Sequence, residues 1–253
     1  MHIDLNSDLG EGYGPWPMGN DAEMLSIVTS ANIACGGHAS DPETMFRTLT
    51  LAAQNGVSVG AHPGYNDREG FGRRVIPMSP AEVGRVCAAQ IGALMGMAAQ
   101  VGARVSYVKP HGALANLAAR DRDVADAIVE AVQRIDPTLA MLAISGTQGE
   151  QAARAANAPV FSEIFADRGY LSSGQLVPRD QDGAMIHDPS EAAERLIAFL
   201  ETGLMPVIDG DPIKLNAHSI CVHGDSAGAV DMAREIRQRL TAHGVEIRAF
   251  SSV

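Results

Sequence analysis

No apolar run in this sequence reaches the ~18 residues needed to span a bilayer. The opening segment Met1-His2-Ile3-Asp4-Leu5-Asn6 also lacks the basic stretch and apolar stretch of a secretory signal. Cysteine is scarce. Cys35, Cys87 and Cys221 cannot all pair within one chain, and none belongs to a Cys-x-x-Cys, which argues against a disulfide framework and a structural zinc site. A reducing, cytoplasmic setting is the expectation. Basic residues are outnumbered, 19 Lys and Arg against 30 Asp and Glu, for a formal net charge of −11. Nucleic acid selects basic surfaces, so it is not an expected partner. An anionic small molecule remains open, because local arginines can build a positive pocket in an acidic protein. Three familiar motifs are missing: the Gly-x-x-x-x-Gly-Lys-[Ser/Thr] phosphate loop, Gly-x-Gly-x-x-Gly after a strand, and the Gly-x-Ser-x-Gly nucleophile elbow. Nucleotide hydrolysis by this chain alone would need an unfamiliar site.

The chain that remains is 253 residues long and 46% hydrophobic, the size of one (β/α)-barrel domain. With no low-complexity linker or repeat, residues 1–253 read as a single domain. Strands are expected at 2–5, 30–35, 57–61, 104–109, 139–144, 160–165, 219–223 and 245–250, with helices between most of them. Ser79-Pro80-Ala81-Glu82 predicts a capped helix start, and Asp41-Pro42-Glu43 and Asp188-Pro189-Ser190-Glu191 predict two more. Asp225 is placed to cap a last helix. Strand-helix alternation predicts parallel pairing and right-handed crossovers, hence an α/β fold of TIM-like barrel type. Segments 166–187 and 204–218 have neither period and read as long loops.

Four histidines stand where an apolar run meets glycine or proline: His38 after Ser30–Cys35, His62 after Val59–Ala61, His111 after Val105–Val108, and His223 after Ile220–Val222. Short apolar runs ended by turn residues are buried parallel strands, and the carboxyl ends of such strands form the catalytic rim of a barrel. One such histidine is commonly a core imidazole bonded to a carbonyl; four suggest one polar pocket. Asp4, Asp8 and Glu11 lie in the first strand and its glycine-punctuated loop, where a carboxylate can serve as base, ligand or binding group. Neutral imidazoles with Asp8 can hold a metal that activates water, or can shuttle protons without one. The spacing matches neither His-x-x-x-His nor His-Glu-x-x-His, so no obligatory metal is expected; Asp8, His38 and His62 are the candidates if one binds. Lys109 follows a buried run and can reach the pocket to grip a carboxylate or phosphate. Arginines in 62–74 and at Arg168 and Arg179 suit a bidentate grip on an anion, though spacing does not say which face inward.

Five segments together resemble the LamB/YcsF family, the A subunits of bacterial 5-oxoprolinases. They are Asp4–Gly14, Ser30–His38, Gly60–Tyr65, Val108–Leu114 and Val222–Ser226, and they follow the family's order nearly end to end. The resemblance implies an irregular (β/α) barrel related to polysaccharide deacetylases. It implies one component of an enzyme that opens the lactam of 5-oxo-L-proline to L-glutamate with ATP cleaved to ADP and phosphate. Subunits B and C are the implied partners, and ATP the implied co-substrate of the assembly. On this reading Asp8 or Glu11 activates water, and His38, His62 and His111 donate protons or polarise the carbonyl. Asn6, Asn32, Arg73, Lys109 and His223 bind substrate. Two positions depart from the family pattern: Ser7 replaces its usual cysteine and Ala115 its usual tyrosine. Two other classes stay open, a metal-dependent carbohydrate deacetylase-like amide hydrolase and a non-catalytic scaffold subunit. Self-association is also left open.

Overall fold

The computed structural model describes residues 1–224 and 228–251. The chain begins with β1 (His2–Leu9), α1 (Asp21–Leu25), β2 (Ser30–Ala34), α2 (Pro42–Asn55), β3 (Ser58–His62) and α3 (Pro80–Gln100). It continues through β4 (Val105–Val108), α4 (Gly112–Ala118), α5 (Arg122–Ile135), β5 (Ala140–Ile144), α6 (Gln148–Ala155) and β6 (Val160–Phe165). The last third holds α7 (Pro189–Thr202), β7 (Leu204–Met205), β8 (Ile213–Lys214), β9 (Ser219–Cys221), α8 (Ala229–Ala242) and β10 (Glu246–Ile247). Strands β1, β2, β3, β4, β5, β6 and β9 pair in that order, and β9 returns to β1, closing a seven-stranded parallel barrel. β10 adds to the start of β1.

The expected helix starts form as local chemistry dictates. Ser79 and Glu82 make a reciprocal capping box at α3, while Asp41 and Asp188 accept from the first backbone N–H groups of α2 and α7. Asp225 lies outside the described residues; α8 follows Gly228, which is left-handed and offers no side-chain cap.

Three expectations need correcting. β1 runs to Leu9, well past residue 5, so Asn6, Ser7 and Asp8 are strand and not loop. Segment 204–218 contains a two-stranded antiparallel ribbon, β7 with β8. Of 245–250 only Glu246–Ile247 pairs; Phe250 instead packs its ring against Tyr107 and Phe161.

The reason for the first correction organises the molecule. Successive strand residues face opposite sides. On β1, Leu5 and Leu9 join the apolar layer between barrel and helices, with Ile33, Val59, Ala61, Val108, Ile164 and Ile220. Asp4, Asn6 and Asp8 face the bore, where they meet Ser30, Asn32, Lys109 and Ser219. The bore is therefore polar, and its polar residues interrupt the apolar pattern by which a buried strand is recognised.

Candidate active site

The polar bore rises in rungs. Asp4 accepts hydrogen bonds from Thr29 (2.6 Å), Ser30 (2.7 Å) and Ser219. Burial pushes its carboxyl up to about 6 against those donors. Above it, Tyr107 donates to Asn32 Oδ1 (2.7 Å), and Asn32 Nδ2 donates to Asn6 Oδ1 (2.7 Å) and Asp8 Oδ1 (2.8 Å). Lys109 Nζ lies 2.9 Å from Asp8 Oδ1, 2.9 Å from Glu163 Oε1 and 3.1 Å from Cys221 Sγ. Burial opposes the charges of both Asp8 and Lys109, but they hold each other ionised. Asp8, also facing His62, sits well below the usual carboxylate range, and Lys109 well above the usual ammonium range. Glu163, fully buried, is raised by burial and only partly relieved by Lys109.

At the carboxyl end three histidines meet. His62 is the last residue of β3 and His111 the residue before α4, while His38 lies four residues beyond β2. The His38 and His111 rings stack at 3.6 Å, and His62 stands edge-on to both. His62 Nε2 is 3.3 Å from Asp8 Oδ2 and 3.0 Å from His111 Nδ1; His38 Nε2 is 3.0 Å from Glu11 Oε1. Burial and the neighbouring imidazoles hold His38 and His111 well below the usual histidine range, so both are neutral at neutral pH. Glu11, His38, His62 and His111 each offer one donor atom, all within 4.8 Å of one another.

Glycine makes this crowding possible. A Cβ on Gly72 would stand 2.7 Å from His38 Cβ and 2.8 Å from His111 Cδ2, and Gly72 has φ +61° besides. Phe71, at φ 52°, turns its carbonyl to accept from His111 Nε2 (2.8 Å). Gln90 of α3 pins the same loop from behind by bonding both backbone groups of Gly64.

A cavity of about 460 Å³ opens over this floor. Asp8, His62, Lys109, His111, Glu163 and His223 line it, together with Arg73, Arg168 and Arg179. Arg168 is buried and donates to the Ala184 and Val177 carbonyls; burial lowers it to about 10, still charged at neutral pH. The other two loop arginines are engaged elsewhere. Arg68 donates to Gly36 O and covers the Tyr13 ring, and Arg74 pairs with Asp67. Across the cavity His223 Nδ1 is 2.8 Å from Asp167 Oδ2, and its ring stacks on Phe165 at 5.5 Å. A carboxylate bonded to Nδ1 fixes the proton there and leaves Nε2 as a lone pair.

The structure thus gathers Asp8, Glu11 and the four histidines at one barrel end, but it sorts them into layers. Glu11 and His38 do not line the cavity; they stand behind His62 and His111. Asn6 and Asn32, expected to bind substrate, are buried one rung below it, bonded to each other, with Asn32 on Asp8 and Lys109 on Asn6. Lys109 reaches the cavity with its ammonium already between two carboxylates. Ser7 donates to the Val222 carbonyl (2.6 Å), tying two strands of the barrel, and Ala115 lines the cavity wall. Sequence reasoning gives no site role to Glu163, Tyr107, Cys221 or Asp167. Glu163 has a signal: a charged residue inside Val160–Phe165 must be either exposed or paired.

Known proteins resemble this chain from end to end. The chain is 47% identical over 252 residues to the 5-oxoprolinase A subunit of Rhodopseudomonas palustris, covering 99% of each. It is 51% identical over 250 residues to the 5-oxoprolinase A subunit of Nocardia farcinica, covering 99% of this chain and 100% of the relative. The crystal structure of a lactam utilization protein from Thermus thermophilus superposes with a TM-score of 0.93 at 44% identity, covering 99% of this chain and 100% of that one. The LamB/YcsF family profile matches residues 3–253, and the chain belongs to that family.

Proposed function

We propose that the chain is the A component of an ATP-dependent 5-oxoprolinase built from several subunits, and that its cavity is where the lactam is opened. The observation that carries this reading is the pairing, in one cavity, of three arginines with a carboxylate-oriented histidine. 5-Oxoproline presents two features to a protein, a carboxylate and a planar ring amide. Arginine matches the first with a two-pronged grip. The second needs a water made nucleophilic, a polarised carbonyl, and a proton for the ring nitrogen when the C–N bond breaks.

Asp8 is a weak candidate for the base, although its position invites that role. Two cationic or proton-bearing neighbours hold it ionised, and a low pKa makes a poor proton acceptor. The better acceptor is His223 Nε2, with Asp167 fixing the Nδ1 proton; this division of roles is that of a carboxylate-histidine pair. Water gives its proton to His223 as its oxygen adds to the lactam carbon. The same proton can return to the ring nitrogen as the C–N bond opens; where ATP has phosphorylated the lactam oxygen, this releases the amine and leaves an acyl phosphate, which a second water cleaves to carboxylate and inorganic phosphate. Asp8 and Lys109 then hold the floor of the site, His62 and His111 wall it with their ring nitrogens already engaged, and Arg73, Arg168 and Arg179 hold the carboxylate. Lys109 thereby becomes a group that positions Asp8, with the anion grip passing to the arginines.

ATP activates a lactam by phosphorylating its oxygen, and we place that step on partner subunits B and C, because this chain carries no glycine-rich phosphate loop. The test is reconstitution with candidate partners, following glutamate and ADP release from 5-oxoproline. Loss of a general base costs ~10²–10⁴-fold. His223→Gln and Asp167→Asn are therefore expected to lower kcat at least ~100-fold with ADP release falling in step or uncoupling from glutamate. Full activity in both variants overturns the assignment of the base. Efficient 5-oxoproline-dependent ATP cleavage by the purified chain alone overturns the division between subunits.

A further inference from the structure

Two backbone carbonyls decide where the protons sit on two of the clustered histidines. Lys109 O lies 2.7 Å from His62 Nδ1, and Phe71 O lies 2.8 Å from His111 Nε2. A carbonyl only accepts, so each of those nitrogens carries a proton. On a neutral ring the remaining nitrogen, Nε2 of His62 or Nδ1 of His111, is a lone pair. These two nitrogens face one another at 3.0 Å, with Glu11 Oε1 3.5 Å from His111 Nδ1 and Asp8 Oδ2 3.3 Å from His62 Nε2. Two such lone pairs facing each other, each with a carboxylate oxygen beside it, repel. Something positive has to lie among them, either an extra proton on one imidazole or a cation.

We propose that Glu11, His38, His62 and His111 form a binding site for one divalent transition-metal ion of the zinc class, beneath the floor of the cavity. Three imidazoles and one carboxylate are a borderline-soft N₃O donor set, the kind that selects such an ion over calcium or magnesium. Around a tetrahedral ion with bonds of ~2.0–2.1 Å, neighbouring donors stand about 3.3 Å apart. The pairs here stand at 3.0 Å (His62 with His111), 3.0 Å (His38 with Glu11) and 3.5 Å (His111 with Glu11), and none of the four donor atoms is more than 4.8 Å from another. The outer shell is also that of a metal centre. His62 and His111 each give the second ring N–H to a backbone carbonyl, which fixes the tautomer and the ring angle. Gly64 and Gly72 leave room for the rings alone, since a Cβ on either would meet His38 within 3.0 Å. The sequence spacing points away from an obligatory metal, with Asp8 as the carboxylate candidate if one binds. In the fold Glu11 takes that place and His111 joins, while Asp8 turns to Lys109.

The site is independent of the lactam reading and is tested without substrate. The full chain is stripped by chelator dialysis and titrated with Zn²⁺, and separately with Co²⁺, whose visible absorption reports tetrahedral nitrogen-oxygen coordination. One equivalent per chain is expected, with a raised thermal midpoint. His38→Gln and Glu11→Gln remove donors that do not line the cavity. Each is expected to weaken binding by more than the ~10–100-fold that outer-shell changes cost, and to abolish the thermal shift. His243→Gln, at an exposed histidine on the end of α8, is expected to bind as the parent does. Glu11→Gln is nearly isosteric, so it keeps the test decisive should His38→Gln fail to fold. No saturable binding by the parent, or unchanged binding in both variants, overturns the proposal. Metal binding without lactam turnover would sink the functional reading and leave this site standing.

Discussion

At the carboxyl end of the barrel Lys109 sits between Asp8 and Glu163, all three buried. At the amino end Tyr107, Phe161 and Phe250 fill the bore with rings, and Ser58, Ser106 and Ser251 share hydrogen bonds beside them. The same seven strands carry both ends. One end concentrates charge where water is scarce, which costs stability unless every charge is matched. The other is ordinary packing of apolar rings and neutral hydroxyls. The difference assigns work: groups that would be expensive to bury are concentrated toward the end where the cavity opens. Four substitutions probe whether that division holds.

The largest effect is expected from Lys109→Met. A methionine keeps the stem, and such volume-conserving swaps cost little in an apolar core. Lys109 is not in such a core. Removing its ammonium leaves Glu163 buried without its counter-charge and Asp8 with His62 alone, and breaking a buried pair costs about 3–5 kcal/mol. Denaturant unfolding should show a loss of that size, and Lys109→Met with Glu163→Gln should recover part of it. Unchanged stability in the single variant would mean the carboxyl end is not built on matched charge.

Asp4 lies at the lower limit of the charged region, and its effect depends on pH. Its folded pKa of about 6 exceeds the reference 3.8, because burial outweighs the hydroxyl donors. Between those values the folded state binds more protons than the unfolded one, so stability falls as pH rises through that window. A rise of that size corresponds to roughly 3 kcal/mol. Asp4→Asn cannot ionise and should be flat there. The stability difference between parent and variant should therefore grow from about pH 4 to about pH 7 in the variant's favour. A parallel pair of pH profiles would show that the serine and threonine hydroxyls fully compensate the charge.

These two residues also show what can be read from the sequence. The strand ends at His62, His111 and His223 are legible, because apolar runs stopped by glycine or proline are local signals. The rim they share follows from parallel strands alone. Asp4, Asn6 and Asp8 read as the end of a short strand and its loop, since a strand with polar residues on alternate positions looks solvated when the bore is assumed apolar. Glu163 is lost for the same reason. Its partner Lys109 is 54 positions away, and only barrel closure brings them together. The layering of Glu11 and His38 behind His62 and His111 depends on Gly64, Gly72 and the Phe71 carbonyl, a three-dimensional fit that no spacing rule encodes.

Gly60→Ala moves the test to the packed half. The Tyr107 ring occupies the space where a side chain on Gly60 would stand, with Cε2 2.1 Å from the ideal Cβ. Over-packing a filled interior costs about 1–3 kcal/mol. Because Tyr107 donates to Asn32, which in turn holds Asp8, a displaced ring would also loosen the floor of the site. A stability loss with unchanged activity in the assembled enzyme would separate the two ends cleanly. A parallel loss of activity would show that the rungs transmit packing upward.

Ser251→Ala is expected to have the smallest effect and gives the sharpest control. Ser251 Oγ lies 2.6 Å from Ser58 Oγ and 3.2 Å from Ser106 Oγ, while Ser58 and Ser106 are 3.0 Å apart and Ser106 also bonds the Val59 carbonyl (3.1 Å). Deleting one hydroxyl leaves the other two with each other, so no buried group is orphaned. The net worth of such a bond is ~0.5–1.5 kcal/mol, and here the lower part of that range applies because Ser251 is partly exposed. A small drop in thermal midpoint with full catalytic activity is the expected outcome. A loss of activity out of proportion to that drop would mean that Phe250 and Ser251 do more than cover the amino end, and the division between a charged working end and a neutral packed end would have to be abandoned.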